Sequence, residues 1–139
     1  MRQFTHVFEF RTGARGLLEI TQDIERFVAQ CGVSTALLTL FCRHTSASLL
    51  IQENAAREVR RDLEAFFENL APEDPARYAH SEEGPDDMPA HIRTALTNVH
   101  LAIPVIDGRL ALGAWQGIYL FEHRRAPHRR MIAAHLIGD

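Results

Sequence analysis

The stretch Leu110–Glu122, LALGAWQGIYLFE, constrains the fold more than any other part of this chain. It contains no proline, and both faces of its period-two alternation are mostly apolar, which is typical of a strand buried on both sides. A helix is the alternative, but Gly113 and Gly117 would each cost a helix interior about 1 kcal/mol. The pattern therefore predicts one long strand over residues 110–122, with a bulge or a close approach at its glycines.

Two polar side chains, Gln116 and Glu122, share one face of this predicted strand. At the rise of a regular strand they would lie roughly 20 Å apart. We therefore expect that they do not line the same small pocket within a single subunit.

The composition predicts one globular domain and argues against general nucleic-acid binding. The chain has 139 residues, 46% of them hydrophobic, which is enough to bury a core. Its formal net charge is -3, whereas phosphate backbones are bound by clustered cations. Cys31 and Cys42 are predicted to be reduced core residues, and the N-terminus lacks the apolar region of a signal peptide. We therefore expect a cytoplasmic protein.

Hydrophobic periodicity predicts the other elements. Helices are expected after Thr21, which can cap a helix ending at Gly32, and over residues 55–70, capped by Asn54. A third, short helix is expected to be capped by Asp87, and Asp107-Gly108 is typical of a hairpin turn. Further strands are predicted over residues 3–11, 35–42, 99–105 and 131–137.

A polar cluster interrupts two apolar β-runs at His44-Thr45-Ser46. Polar groups are costly to bury without partners, so such a cluster inside a sheet usually faces a cleft or an interface. The alternative is a sheet edge or bend whose hydroxyl groups are satisfied locally. A serine hydrolase is not indicated, because the chain has no G-x-S-x-G motif.

Three histidines, His44, His80 and His91, together with Asp86 or Asp87, offer the donors of a zinc-like or other divalent metal site. No H-E-x-x-H or C-x-x-C spacing forces these residues together. His80 lies within residues 71–90, a long loop with four prolines and six acidic residues. Loops of this length are often functional, although a mobile acidic loop is the alternative.

An arginine-rich turn over residues 123–130, HRRAPHRR, is dense enough in cations to hold phosphate or carboxylate. The alternative is a solvent-facing hairpin tip. A metal ion and basic side chains together could hold a phosphate ester or a diphosphate, because both neutralise negative charge. Asp62 lies at the border of the apolar stripe of its predicted helix, where it is solvated, paired with arginine, or part of a site.

Several segments resemble the YjbQ-like family, in order and over nearly the whole chain. The most specific is the G-x-W-Q core at Gly113–Gln116 with the P-V-x-x-G before it; the others are His44–Ala47, Glu53-Asn54, Asp62, His80, Pro89–Ile92 and Ile103–Val105. The chain departs from the family at Ala114, where threonine is usual, and near Val99-His100, where serine is usual. The first departure removes a hydroxyl group.

The resemblance implies an α+β fold with antiparallel sheets in a sandwich-like arrangement, two main helices and one short helix, in a single domain over residues 1–139. It also implies a homotrimer, in which a pocket between subunits would let Gln116 and Glu122 serve different pockets. Some family members are described as weak thiamine-phosphate synthases, which join a pyrimidine diphosphate to a thiazole phosphate with loss of diphosphate.

The leading hypothesis is a cytoplasmic enzyme that acts on a phosphorylated small molecule, with Zn or Mg as a candidate metal. We assign candidate roles partly by position in the family: catalytic His44, Asp62, His91 and Glu122; substrate-binding Thr45, Ser46, Asn54, Gln116, Arg129 and Arg130; metal-binding His44, His80 and His91. The alternatives are a non-catalytic trimeric binding protein for a metal or phosphorylated metabolite, and an interaction domain whose polar cluster completes a subunit interface.

Overall fold

The computed structural model describes all residues from 1 to 139. The helices are α1 (Thr21–Cys31), α2 (Arg57–Leu70) and α3 (Asp87–Leu96). The strands are β1 (Arg2–Thr12), β2 (Gly16–Glu19), β3 (Ala36–Cys42), β4 (Ala47–Glu53), β5 (His100–Ile106), β6 (Arg109–Leu110), β7 (Gln116–Glu122) and β8 (His128–Gly138). A single 3-10 turn, Pro75–Arg77, lies in the long loop between α2 and α3.

Two antiparallel sheets form the frame of the molecule. The larger sheet has the strand order β1-β8-β3-β5-β6, and the smaller has the order β2-β7-β4. One core cluster of 18 buried residues joins them, with Leu38 and Leu40 from β3, Leu120 from β7 and Ile132 from β8 among its members. The predicted α+β fold with antiparallel sheets and three helices is confirmed.

Helix α1 ends where the sequence predicts, but its predicted cap is not used. α1 contributes Ile24 and Val28 to the core, and it stops as predicted at Gly32, whose φ of 63° suits a residue without a Cβ. The predicted N-terminal cap of α1, Thr21, is wrong. The hydroxyl group of Thr21 donates to Glu19 and accepts from the backbone of Ile118, so it is not available to cap α1.

The other two predicted caps are wrong for the same reason. α2 begins at Arg57, two residues later than predicted, with Ala56 at its N-cap, and the amide of Asn54 donates to Glu19. α3 begins at Asp87 itself, and the Asp87 carboxylate contacts three other side chains. In each case a tertiary contact takes the group that the local sequence would use as a cap.

The predicted single strand over residues 110–122 is wrong. Residues 111–115 lie in a loop, in which the N–H of Gln116 donates to the carbonyl oxygen of Gly113 at 3.1 Å and Trp115 is 65% exposed. The chain leaves the larger sheet after β6 and enters the smaller sheet at β7, so two apolar runs belong to two different sheets. The predicted close approach is present at Gly117, where a Cβ would lie 2.7 Å from a carboxylate oxygen of Glu19.

The outer face of the larger sheet carries exposed apolar side chains. Val7 on β1, Leu37 and Phe41 on β3 and Ile106 on β5 are all between 43% and 58% exposed. Antiparallel sheets often leave one face to solvent, but that face is then usually polar. Cys31 and Cys42 are buried and free, as predicted, and no helix is both long and apolar enough to cross a membrane.

Candidate functional site

Glu122, at the end of β7, is a buried carboxylate surrounded by donors. It accepts hydrogen bonds from the Thr12 hydroxyl group, from the Arg130 guanidinium at 2.8 Å, and from the backbone N–H groups of His123 at 3.0 Å and Arg124 at 3.1 Å. Burial alone would raise the pKa of Glu122, but these donors outweigh it, so the pKa lies below its ordinary value. Glu122 is therefore an ionised partner of Arg130.

Arg130 connects this carboxylate to the turn between β3 and β4. Its Nη2 atom donates to the carbonyl oxygen of Ser46 at 3.1 Å and to the Ser46 hydroxyl oxygen at 3.0 Å. The backbone N–H of His123 donates to the same carbonyl oxygen at 3.3 Å. Glu122 and Arg130 thus hold the turn in place rather than leave their charges free for a ligand.

His44 lies in that turn and is fixed by one backbone bond. The N–H of Met131 donates to Nε2 of His44 at 2.7 Å, so in the neutral ring the proton is on Nδ1. Burial and the nearby Arg130 charge lower the pKa of His44, which keeps the imidazole neutral at pH 7. Its Nε2 lone pair is already used, so His44 is not placed to bind a metal through that atom.

A cleft opens beside this turn. Its volume is about 580 Å³, and its lining residues are Phe41, Cys42, Arg43, His44, Thr45, Ser46 and Val99. Burial raises the pKa of Cys42 to about 11, so its thiol is a packing group and not a nucleophile. The cleft is shallow and open to solvent, and its volume is within the range of small-molecule sites.

The second feature of the site is a cluster of two histidines around Asp87, which is 1% exposed. Oδ2 of Asp87 lies 2.7 Å from Nε2 of His80 and 3.1 Å from Nε2 of His91. The three ligand atoms all lie within 4.8 Å of one another. His80 comes from the long loop, while Asp87 and His91 are four residues apart on α3 and so share one face of the helix.

A hydrogen bond fixes the orientation of the His91 ring. Nδ1 of His91 lies 2.9 Å from the carbonyl oxygen of Thr45, which can only accept, so Nδ1 carries a proton. In the neutral ring, Nε2 therefore directs a lone pair at the Asp87 carboxylate. Two electron-rich atoms at this distance require a cation between them, either a proton or a metal ion.

Charge compensation keeps Asp87 ionised. Its burial would raise the pKa, but the hydrogen bond from His80 and the nearby His91 and Arg124 groups outweigh that effect, so the pKa lies below its ordinary value. Nη1 of Arg124 donates to Oδ1 of Asp87 at 2.8 Å. The cluster thus offers an anionic oxygen and two imidazole nitrogens, the donor set of many divalent metal sites.

The structure places the predicted site residues in several groups. It brings His44, Thr45, Ser46, His91, Glu122 and Arg130 into one region, and it joins His80 to His91 through Asp87. In the predicted metal set, Asp87 takes the position assigned to His44, because only His80, Asp87 and His91 form a cluster.

The remaining predicted residues lie elsewhere in this chain. Asp62 is exposed on α2, and Asn54 and Gln116 make bonds to Glu19 and to the backbone of Gly113. Arg129 is exposed on the outer face of β8, where it pairs with Glu9. None of these four contacts the cleft lining or the histidine cluster.

The sequence left the carboxylate donor that accompanies the histidines open between Asp86 and Asp87, and it did not indicate Arg124 as the partner of that carboxylate. The i,i+4 spacing of Asp87 and His91 is the signal that separates Asp87 from Asp86, since it places both side chains on one helix face. Arg124 gives no comparable signal, because it is one of four arginines in a single turn.

The sequence model of the family described as UPF0047 protein YjbQ-like matches residues 6–139 of this chain. The chain belongs to the YjbQ-like family. A UPF0047 protein of Synechocystis is 50% identical over 99% of this chain and 94% of its own length. The YjbQ protein of Salmonella typhimurium is 46% identical over 90% of this chain and 91% of its own length.

Solved structures of YjbQ-like proteins share this fold. A YjbQ/UPF0047 family protein from Clostridium acetobutylicum superimposes with a TM-score of 0.87 at 32% identity, over 95% of this chain and 99% of that one. A hypothetical protein from Aeropyrum pernix superimposes with a TM-score of 0.88 at 28% identity, over 98% and 99% of the two chains. The predicted family membership is therefore confirmed.

Proposed function

We propose that this YjbQ-like protein is an enzyme that binds a divalent metal ion through His80, Asp87 and His91 and acts on a phosphorylated small molecule in the neighbouring cleft. One observation carries the proposal: two imidazole nitrogens converge on one oxygen of a buried carboxylate. One anionic oxygen and two imidazole nitrogens form the donor set of many divalent metal sites. Arg124 already compensates the charge of Asp87, so the support for a metal comes from this donor set and not from an unpaired charge. A bound metal ion would also supply chemistry.

The position of the cluster beside the cleft supports a role in catalysis. The carbonyl oxygen of Thr45 accepts from His91, and Thr45 also lines the cleft, so one residue connects the cluster to the cleft. A bound divalent ion would neutralise negative charge on a phosphate or diphosphate group. Arg43, an exposed lining residue, would add a second positive charge.

His44 is the residue of this chain best suited to donate a hydrogen bond to a substrate. With its Nε2 atom bonded to the Met131 N–H, its Nδ1–H makes no hydrogen bond with the protein, and the residue lines the cleft. A neutral imidazole can donate this hydrogen bond to a substrate oxygen without bringing a full charge into the cleft. We assign His44 the role of hydrogen-bond donor to the leaving group.

Displacement of diphosphate is the reaction that fits both this chemistry and the family resemblance. In a thiamine-phosphate synthase reaction, the ring nitrogen of a thiazole phosphate forms a bond to the methylene carbon of an aminopyrimidine methyl diphosphate. The carbon–oxygen bond breaks, and diphosphate leaves with the electron pair. The metal site and His44 are suited to stabilise that leaving group.

The experiment measures diphosphate release from the two substrates by the purified protein, first stripped of metal with a chelator and then supplied with zinc, manganese or magnesium. We expect release that depends on added metal and is lost in His91→Ala, but is kept in His6→Ala, which changes an exposed histidine of β1. Release that is unaffected by the chelator would contradict a metal-dependent enzyme.

A non-catalytic binding protein is the second candidate, because the same cleft and cluster would serve to hold a ligand. Thermal unfolding distinguishes the two functions, since a ligand that binds only the folded state raises the midpoint. A metal-dependent shift with phosphate esters, without turnover of any of them, would favour the binding protein. If the protein shows no thermal shift and no turnover with any of these compounds, both candidate functions are overturned.

A further inference from the structure

We propose that Arg124 is a positioning residue that makes the His80–Asp87–His91 site selective for zinc-like transition-metal ions over magnesium. The inference rests on the proposed metal site and goes beyond it, because it names the class of ion and the residue that selects it. The physical basis is that Arg124 holds one oxygen of Asp87 and withholds it from the ion.

The Arg124 side chain uses all three of its nitrogen atoms. Nη1 donates to Oδ1 of Asp87 at 2.8 Å, Nε donates to Oδ2 of Asp86 at 3.1 Å, and Nη2 donates to the carbonyl oxygen of Glu83 at 2.8 Å. The side chain is only 15% exposed, so it is held on several sides. A planar guanidinium bound at three points is a rigid anchor, unlike a single flexible contact.

These contacts connect the loop that carries His80 to the turn that follows β7. The backbone N–H of Arg125 donates to Oδ2 of Asp86 at 2.9 Å, which adds a second connection between the same segments. His80 is exposed, but the part of its loop that follows it, at Glu83 and Asp86, is bound to Arg124, which helps to hold His80 beside Asp87. Hydrogen bonds to the residues that bind a metal ion orient those residues and tune the affinity of the site.

The division of the Asp87 carboxylate decides which ion fits. Oδ1 is bound to Arg124 and Oδ2 faces both histidines, so Asp87 can offer one oxygen beside two nitrogens. Imidazole ligands suit zinc and its neighbours, whereas magnesium and calcium prefer sites rich in carboxylate and carbonyl oxygen. The Arg124 charge also offsets half of the combined charge of Asp86 and Asp87, and so lowers the attraction of the site for hard cations.

Loss of Arg124 should therefore change selectivity, whatever it does to absolute affinity. Arg124→Gln would free Oδ1 of Asp87 and the Asp86 carboxylate, giving an oxygen-rich, more negative site. We expect the ratio of zinc affinity to magnesium affinity to fall by about 10- to 100-fold, the range that outer-shell changes produce. A purely structural weakening would lower both affinities together and leave the ratio unchanged.

The experiment titrates zinc and magnesium separately into the metal-free protein by calorimetry, for the unmodified chain, Arg124→Gln and Arg125→Gln. Arg125 is the matched control, because its side chain pairs with Glu73 and not with either aspartate. The ratio should fall only in Arg124→Gln. An unchanged ratio in Arg124→Gln, or an equal fall in Arg125→Gln, would overturn the inference while leaving the metal site intact.

Two further outcomes also decide the question. If the unmodified chain binds no zinc, the proposed metal site fails and the inference fails with it. If Arg124→Gln does not fold, Arg124→Lys replaces it, since lysine keeps the charge but lacks the planar array of donors. Its ratio should lie below that of the unmodified chain, and an equal ratio would overturn the inference.

Discussion

Nδ1 of His91 lies 2.9 Å from the carbonyl oxygen of Thr45, which connects α3 to the turn between β3 and β4. This contact links the histidine cluster to Thr45, one of the residues that line the cleft. It also fixes which nitrogen of His91 faces Asp87.

His44→Ala should lower turnover without weakening metal binding, because His44 lines the cleft but lies outside the cluster. We expect turnover to fall by about 10²- to 10³-fold, the usual loss when one hydrogen-bond donor to a developing negative charge is removed. Diphosphate release and zinc calorimetry on the same preparation check the two halves of the prediction. Full turnover in this variant would remove His44 from the proposed mechanism.

Glu122→Gln should destabilise the fold by about 3–5 kcal/mol, because it leaves the Arg130 charge buried without its ionised partner. Glu9→Gln breaks another Glu–Arg pair, with Arg129, but on the exposed face, and should leave the free energy of unfolding unchanged within error. Urea denaturation of both variants measures the difference. Equal effects would show that burial does not decide the strength of these pairs.

The stability of the protein should fall as the pH falls from 6.5 towards 4.5, and His123 should cause part of the fall. Burial, followed by the charges of Arg93, Arg130 and Arg15, lowers the pKa of His123 from 6.5 to about 3. Between these values the unfolded chain binds a proton that the folded chain does not, so stability decreases with acid. One such group contributes at most about 1.4 kcal/mol per pH unit.

The measurement compares the free energy of unfolding at several pH values in that window for the unmodified chain, His123→Gln and His100→Gln. The slope should become shallower in His123→Gln only. It should not vanish, because the pKa of His44 is also lowered and acts in the same direction. An unchanged slope in His123→Gln would show that this histidine is not held neutral in the folded state.

The exposed apolar face of the larger sheet should be covered in a homotrimer, as the family resemblance implies. Light scattering should then give about three times the chain mass of 15.7 kDa. Phe41→Asp, on this face and 48% exposed, should reduce the mass to that of one chain, because it places a charge in an apolar contact.

Phe66→Asp is the matched control for this experiment, since Phe66 is 58% exposed on α2. It should leave the mass unchanged. Dissociation by Phe66→Asp alone would place the interface at α2, and a single-chain mass for the unmodified protein would contradict the trimer.

Most strands could be predicted from the sequence because their alternation is imposed by burial on one face. β3, β5 and β8 differ from the predicted ranges by a few residues at most. The exception is residues 110–122, where local periodicity cannot show that the chain changes sheets. That change depends on β2 and β4, the two partners of β7, which are distant from it in sequence.

The sequence predicts which types of residue form the candidate site better than it predicts what each residue contacts. His80 and His91 were identified because imidazoles in a long acidic loop and the helix after it suit a metal. The sequence predicts Asp87 both as a helix cap and as one of two candidate carboxylate donors, because a capping residue and a metal ligand look the same in sequence. His44 is not among the clustered donors, because its Nε2 atom accepts a hydrogen bond from the backbone N–H of Met131, 87 positions away. Such a contact exists only in the folded chain.

Zinc calorimetry on the metal-free protein tests the central claim most directly. The unmodified chain should bind one zinc ion per chain. His80→Ala removes an exposed ligand without disturbing the core. It should weaken zinc binding by roughly 100-fold or more, because loss of a residue that contacts the ligands already costs about 10- to 100-fold. His100→Ala should bind as the unmodified chain does. No zinc binding by the unmodified chain, or equal binding by His80→Ala, would contradict a metal site formed by His80, Asp87 and His91.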